Sequence, residues 1–275
     1  MGNAKKKRFE KILYDIKKIK IQGARNIAKA ALYAYSIYPE KGAKQKLISA
    51  RPTEPMLFNV MEKTEYQSYK KILWHFDEAQ EKINGFVFGM IKNGDIIFTH
   101  CHSTNVINAL IYAKKRGKKF EVYNTETRPL FQGRMTAKEL KKAGIKVTMF
   151  IDSALDVALS EKTGGKKANK IFLGSDALLN AGIVNKIGSG LIAKIAMLEK
   201  IPVFIIADSW KYTKNHVPIE QRGLNEVWER APKNIKIKNP TFEFVPKKYI
   251  RRIVSELGVL TYEKFLKIVV KNNHF

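Results

Sequence analysis

The 275-residue chain contains a single cysteine, Cys101, so an internal disulfide framework is excluded and any role of the thiol is set by its surroundings. No apolar run reaches the length of a membrane-spanning helix. The basic N-terminus, Met1 to Arg8, is not followed by the apolar segment of a secretory signal, and the expectation is a cytoplasmic protein without a membrane partner. Internal repeats and low-complexity tracts are missing, and Gly164-Gly165-Lys166-Lys167 reads as an ordinary surface turn before a strand. Acidic residues are scarce, 25 against 51 basic ones, for a net charge of +26. Such an excess fits a nucleic-acid partner. The lysines nevertheless fall on nearly every helix and loop, as in Lys5 to Lys7, Lys17 to Lys20, Lys114 to Lys119 and Lys138 to Lys142. Without one aromatic-interleaved stripe, a specific nucleic-acid function is disfavoured against a solvated surface with a local need for anions.

A hydrophobic content of 45% is enough to bury a full-sized core. From Phe9 to about Gln80 the apolar residues fall at helical spacing: Phe9, Ile12, Leu13, Ile16 and Ile19, then Ile27, Ala28, Ala31 and Leu32 after the Gly23 break. From Gly94 onward, short β-branched runs alternate with amphipathic helices. The strands are expected at Asp95 to Thr99, Phe120 to Asn124, Val147 to Ile151, Ile171 to Gly174 and Val203 to Ala207. That alternation describes right-handed βαβ units. The fold class is α/β, an N-terminal helical domain (1–92) followed by a Rossmann-like parallel-sheet domain (93–275).

Ligands of such sheets sit outside the carboxyl ends of the strands. The loops there are polar: Thr99 to Thr104, Thr125 to Pro129, Asp152-Ser153, Gly174 to Asp176 and Ala207 to Lys211. Cys101 precedes Ser103 and Thr104, both suited to cap the next helix. A helix N-terminus and the flanking His100 and His102 would lower the thiol pKa and give a thiolate base. Position alone also fits a small buried thiol. A zinc site on His100, Cys101 and His102 is disfavoured, because adjacent strand residues point to opposite faces. Asp176 follows a strand and Gly174-Ser175, where a desolvated carboxyl can donate or shuttle protons; it equally suits an N-cap over a helix at Ala177 to Leu179. Asn185 to Gly190 leads to a helix expected from Leu191, and its backbone amides with Lys186 would suit a phosphate. Arg25, Arg51 and Lys211 lie at other turns, where Arg51 could fork onto a phosphate and Lys211 would act as a point charge.

The segments Thr99-His100-Cys101, Thr125 to Gly133, Gly174-Ser175-Asp176, Asn185 to Gly188 and Asn239 to Phe242 recur in this order in one family. From about Gly94 to Tyr249 the chain resembles the family that unites translation initiation factor 2B regulatory subunits with isomerases of methylthioribose-1-phosphate and of ribose 1,5-bisphosphate. The resemblance implies that Cys101 and Asp176 are catalytic, since the isomerases carry that pair and the regulatory subunits generally lack it. Carried over residue by residue, it implies substrate contacts from Gln22, Gly23, Ala24, Arg25, Arg51, His102, Ser103, Thr104, Gln132, Asn185, Lys186 and Lys211. Arg51-Pro52-Thr53 looks most like the archaeal-type ribose 1,5-bisphosphate enzymes. Ser175, His102 and Gln22 depart from residues common in the family and bear on substrate identity. The implied reaction is aldose-to-ketose isomerisation of a phosphorylated pentose, with no metal or redox cofactor, in a homo-oligomer, a dimer or a hexamer, with room for a nucleotide activator. The alternatives implied are a non-catalytic regulatory subunit binding nucleotide or protein, and a methylthioribose-1-phosphate isomerase.

Overall fold

The structure is a computed structural model that describes residues 2–161 and 166–272; Met1 and the expected Gly164-Gly165 turn lie outside the described residues. Five helices come first: α1 (Gly2–Lys17), α2 (Ala24–Ile37), α3 (Ala43–Ala50), α4 (Pro55–Lys63) and α5 (Tyr69–Met90). Gly23 separates α1 from α2 with a φ of 84°, a left-handed value that glycine adopts without strain. Pro55 opens α4 with its φ already helical, and the Ser68 hydroxyl caps α5 by accepting from the Lys71 amide. Phe9, Ile16, Ile27, Ala31, Leu47 and Leu57, spaced for one helix face each, close the core of this layer.

Among the described residues ten strands follow: β1 (Ile96–Thr99), β2 (Glu121–Thr125), β3 (Lys146–Phe150), β4 (Lys170–Leu173), β5 (Ala177–Leu178), β6 (Gly182–Lys186), β7 (Val203–Ile206), β8 (Phe242–Pro246), β9 (Arg252–Ser255) and β10 (Gly258–Leu260). Seven make one sheet in the order β10-β9-β7-β4-β1-β2-β3. Every pairing in it is parallel except β10 with β9. Strand residues alternate between faces. Ile96, Phe98, Ile171, Leu173 and Ile205 pack on the side of α8 (Leu155–Leu159), α9 (Ser189–Leu198) and α10 (Tyr262–Asn272). Ile97, Val122, Phe172 and Ile206 pack opposite, with α6 (Thr104–Lys115), α7 (Gln132–Lys142) and the C-terminal half of α5. Each of the five expected strands is present with its ends shifted by no more than one residue.

The chain winds outward from β1 through β2 to β3, then crosses back to β4 and winds outward through β7 and β9. The winding therefore reverses between β1 and β4, and a crevice opens outside their carboxyl ends. Two expectations are corrected beside it. Ala177 to Leu179 does not start a helix: Ala177 and Leu178 pair antiparallel with Val184 and Ile183, in a small sheet of order β5-β6-β8, so Asp176 caps no helix. The helix expected from Leu191 begins at Ser189.

The helical layer is pinned over the crevice. Trp210, in the turn after β7, packs with Met56, Val60 and Phe76. The Asn59 amide donates to the Trp210 and Tyr212 carbonyls at 2.7 and 2.8 Å, and His75 stacks on the indole with ring centroids 3.5 Å apart. These contacts bring the loops before α2 and α4 over the strand ends.

Candidate active site

At the end of β1 the chain turns through His100 and Cys101 into α6. His100 is buried. Its Nε2–H donates to the Ile187 carbonyl at 2.8 Å and its Nδ1 accepts from the Thr125 hydroxyl at 2.5 Å, the tautomer these partners require. Burial holds its pKa below the ordinary imidazole value, so it is a neutral strut between β1 and the β6–α9 loop. Cys101 sits at a φ of 66°, in the left-handed region. Its amide donates to the Thr127 hydroxyl at 3.0 Å and its carbonyl accepts from the Thr136 hydroxyl at 2.7 Å. Thr127 is fixed in turn by Asp152, whose carboxylate accepts from the Thr127 and Arg128 amides at 2.9 and 2.6 Å.

The expected low-pKa thiolate is not what this environment makes. Burial pushes the Cys101 thiol up to about 11, Lys186 opposes the rise and the Asp176 charge adds to it. Ser103 is the N-cap of α6 but makes no side-chain cap bond, and neutral His100 supplies no cation. The helix terminus is too weak to offset desolvation.

Asp176 lies beyond Gly174-Ser175, with its amide donating to the Val184 carbonyl at 2.9 Å. Burial raises its pKa, against the pull of Lys211, Lys186 and Arg51. Lys211 is itself buried and donates to the Ser175 carbonyl at 2.6 Å. The thiol and this carboxyl thus respond to the same cation, Lys186, and the carboxyl's charge acts on the thiol.

Both face one cleft of about 1140 Å³ including its mouth, lined by all the residues expected at the site. Gln22 to Arg25 form the turn into α2, Arg51 follows α3, Cys101 to Thr104 lead into α6, Gln132 opens α7, Asn185 and Lys186 end β6, and Lys211 ends the turn after β7. Not all point freely at a ligand. Arg25 pairs with Asp77 at 2.6 Å, and Arg51 pairs with Glu220 at 3.0 Å and approaches Glu54 at 3.8 Å. The Asn185 amide donates to Ser189, and the His102 ring meets Thr136 at 3.2 Å. The first amides of α9 are not all available to a phosphate, because the Gly190 amide donates to Glu243 at 2.9 Å. Lys186 has no ion-pair partner among the described residues, and burial lowers its pKa.

Sequence reasoning missed Glu54, Asn26, Arg222 and, as a site residue, Thr241, which also line the cleft. The Arg51 Nε, Glu54 Oε2, Gln132 Oε1 and Thr241 Oγ1 atoms are buried in its walls with no protein partner. Donors and acceptors left over in this way suit a polar ligand rich in hydroxyls and anionic oxygens. Asp208 is not a wall residue: its carboxylate meets His75 at 3.2 Å and accepts from the Trp210 amide. Among the described residues, His75, Asp208 and Glu256 are the trio whose ligand atoms lie close enough to hold a metal ion, within 4.8 Å of one another.

Residues 40–262 match the model of the Initiation factor 2 subunit family. The chain belongs to this family. It is 35% identical to the ribose 1,5-bisphosphate isomerase of Methanocaldococcus jannaschii, across 93% of this chain and 91% of that one. It is 32% identical to the enzyme of the same name from Thermococcus kodakarensis, across 89% and 88%. Among solved structures it superposes on the translation initiation factor eIF-2B of Pyrococcus horikoshii OT3 with a TM-score of 0.80 and 26% identity, covering 92% of this chain and 97% of that one. The family match takes in α3, α4 and α5 as well as the sheet.

Proposed function

We propose that the chain is a sugar-phosphate isomerase that converts ribose 1,5-bisphosphate to ribulose 1,5-bisphosphate. The observation that carries this reading is that a thiol and a carboxyl whose pKa burial raises, Cys101 and Asp176, line one cleft at the reversal between β1 and β4, together with Arg51, Lys186 and Lys211. The identities to the two archaeal isomerases support the same substrate.

Aldose-to-ketose conversion moves one proton between carbons and one between oxygens. Asp176, whose pKa burial raises, acts in its protonated form and gives its proton to the ring oxygen as the bond from C1 to that oxygen breaks. The Cys101 sulfur, as thiolate, takes the proton from C2, and the freed electron pair forms the C1–C2 double bond. The enol hydroxyl on C2 then returns a proton to Asp176, the ketone forms, and C1 recovers a proton from the thiol. Atoms and electrons balance without an external oxidant or reductant. A thiol pushed up to about 11 is deprotonated in only a small fraction of molecules near neutrality, but the thiolate so formed is a strong base. Lys186 favours that form.

Incubation of the purified protein with ribose 1,5-bisphosphate, and separately with methylthioribose-1-phosphate, tests the reading. Formation of ribulose 1,5-bisphosphate is the expected result. Turnover of the second sugar alone would move the assignment to that substrate, and no turnover with tight binding of a nucleotide would move it to a regulatory subunit.

A further inference from the structure

Glu54 was invisible as a site residue in the sequence, where it is an acid before Pro55 at the start of a helix. In the fold it lies in the cleft wall with only 4% of its surface exposed. One carboxyl oxygen, Oε2, is buried with no partner, and the other stands 3.8 Å from the Arg51 guanidinium, too far for a hydrogen bond. Arg51 makes its close ion pair elsewhere, with Glu220 at 3.0 Å. The charged groups that bear on Glu54 are Asp176 from the loop after β4, Arg51 from its own loop, Lys211 from the turn after β7, and Glu220. Two of these are cations that would serve a phosphate, and the other two are acids.

An ionised carboxylate here would be desolvated, half-paired and beside two other acids. It would also compete with any anion for Arg51 and Lys211. A neutral carboxyl has none of these costs and offers an O–H to a ligand oxygen. We propose that Glu54 is a proton-held gate of the anion site: neutral, it leaves Arg51 and Lys211 to a phosphorylated ligand and leaves Asp176 as the carboxyl that titrates; ionised, it claims those cations and expels the anion. This deepens the isomerase reading, on which the phosphate ligand rests, and makes Glu54 a positioning residue acting through Arg51, Lys211 and Asp176. Burial, with the Asp176 charge as the next cause, pushes the Glu54 carboxyl up to about 8, so the switch falls just above neutrality.

The test uses sulfate, whose charge is constant from pH 6 to 10, titrated calorimetrically into the full-length protein and into Glu54→Gln, a neutral isostere that mimics the protonated state. In the wild type, sulfate affinity is expected to fall about tenfold between pH 7 and pH 9, the loss that follows when only the protonated form of a group titrating near 8 binds. In Glu54→Gln the affinity stays at its neutral-pH value over that range. Glu54→Asp, which keeps a titrating group, provides the second variant and retains a pH-dependent fall. Superimposable profiles for wild type and Glu54→Gln, or no sulfate binding by the wild type, overturn the proposal. Turnover of ribose 1,5-bisphosphate is a separate readout: pH-gated sulfate binding without turnover leaves the gate standing and removes the isomerase reading.

Discussion

Gly174, at the end of β4, lies so close to Ser103, at the start of α6, that a Cβ on it would come within 2.7 Å of the Ser103 Cβ and 2.5 Å of its hydroxyl. The missing side chain lets the loop that carries Asp176 nest against the loop that carries Cys101. Gly174→Ala must drive the two apart, at a cost of roughly 1–3 kcal/mol of stability. A displacement near 1 Å at the reacting groups is expected to cost on the order of 100-fold in turnover. Steady-state kinetics with a melting curve check both, and unchanged kinetics would mean that the two loops do not act as one unit.

Asp152 supports Cys101 at one remove. Its carboxylate holds the Thr127 and Arg128 amides, and the Thr127 hydroxyl holds the Cys101 amide. Asp152→Ala is expected to cost roughly 1–3 kcal/mol, the range for leaving a buried donor, here the Thr127 amide, unsatisfied. Turnover should fall more than the melting temperature implies. Thr127→Val, which removes only the hydroxyl, should reproduce the kinetic loss with a smaller stability loss.

The thiol itself gives a direct reading of its environment. With its pKa pushed up to about 11, Cys101 should alkylate slowly with iodoacetamide at pH 7, and the rate should climb through pH 10 without a plateau. Lys186 opposes the rise, so Lys186→Met should slow alkylation further at every pH below that range. A plateau near pH 8 would show an ordinary, solvated thiol.

Two carboxyls raised by burial, Glu54 to about 8 and Glu256 to about 7, set the sign of the stability profile. Both bind their proton more tightly folded than unfolded, where the pKa is near 4.5. Their contribution is fully present below pH 4.5 and is lost as pH rises through about 7 and then 8. Glu256→Gln should therefore flatten the decline in melting temperature between pH 5 and 7. An unchanged decline would mean that Glu256 is not held protonated.

Much of this architecture is legible in the sequence because it rests on local signals. Runs such as Ile96 to Thr99 and Val203 to Ile206 alternate with helical spacing, and the polar loops that end them mark the ligand edge of a parallel sheet. What stayed hidden depends on contacts across the chain. Ala177-Leu178 suits a short helix as well as a strand, and its pairing with β6 decides the matter. The thiol pKa turns on burial in a cleft under the helical layer that the Asn59–Trp210 contact pins in place, which no neighbour of Cys101 in sequence reveals. Glu54 carries no site signal in the sequence for the same reason: its burial follows the docking of α4, whose face toward Trp210 is set in three dimensions.

The decisive measurement is turnover of ribose 1,5-bisphosphate by wild type, Cys101→Ser and Asp176→Asn at matched folded concentration. General acid and base groups each typically supply roughly 100-fold to 10,000-fold. Each variant should fall by that order while its melting temperature stays near that of the wild type. Retention of wild-type turnover by either variant would contradict the claim that this thiol and this carboxyl share the proton transfers.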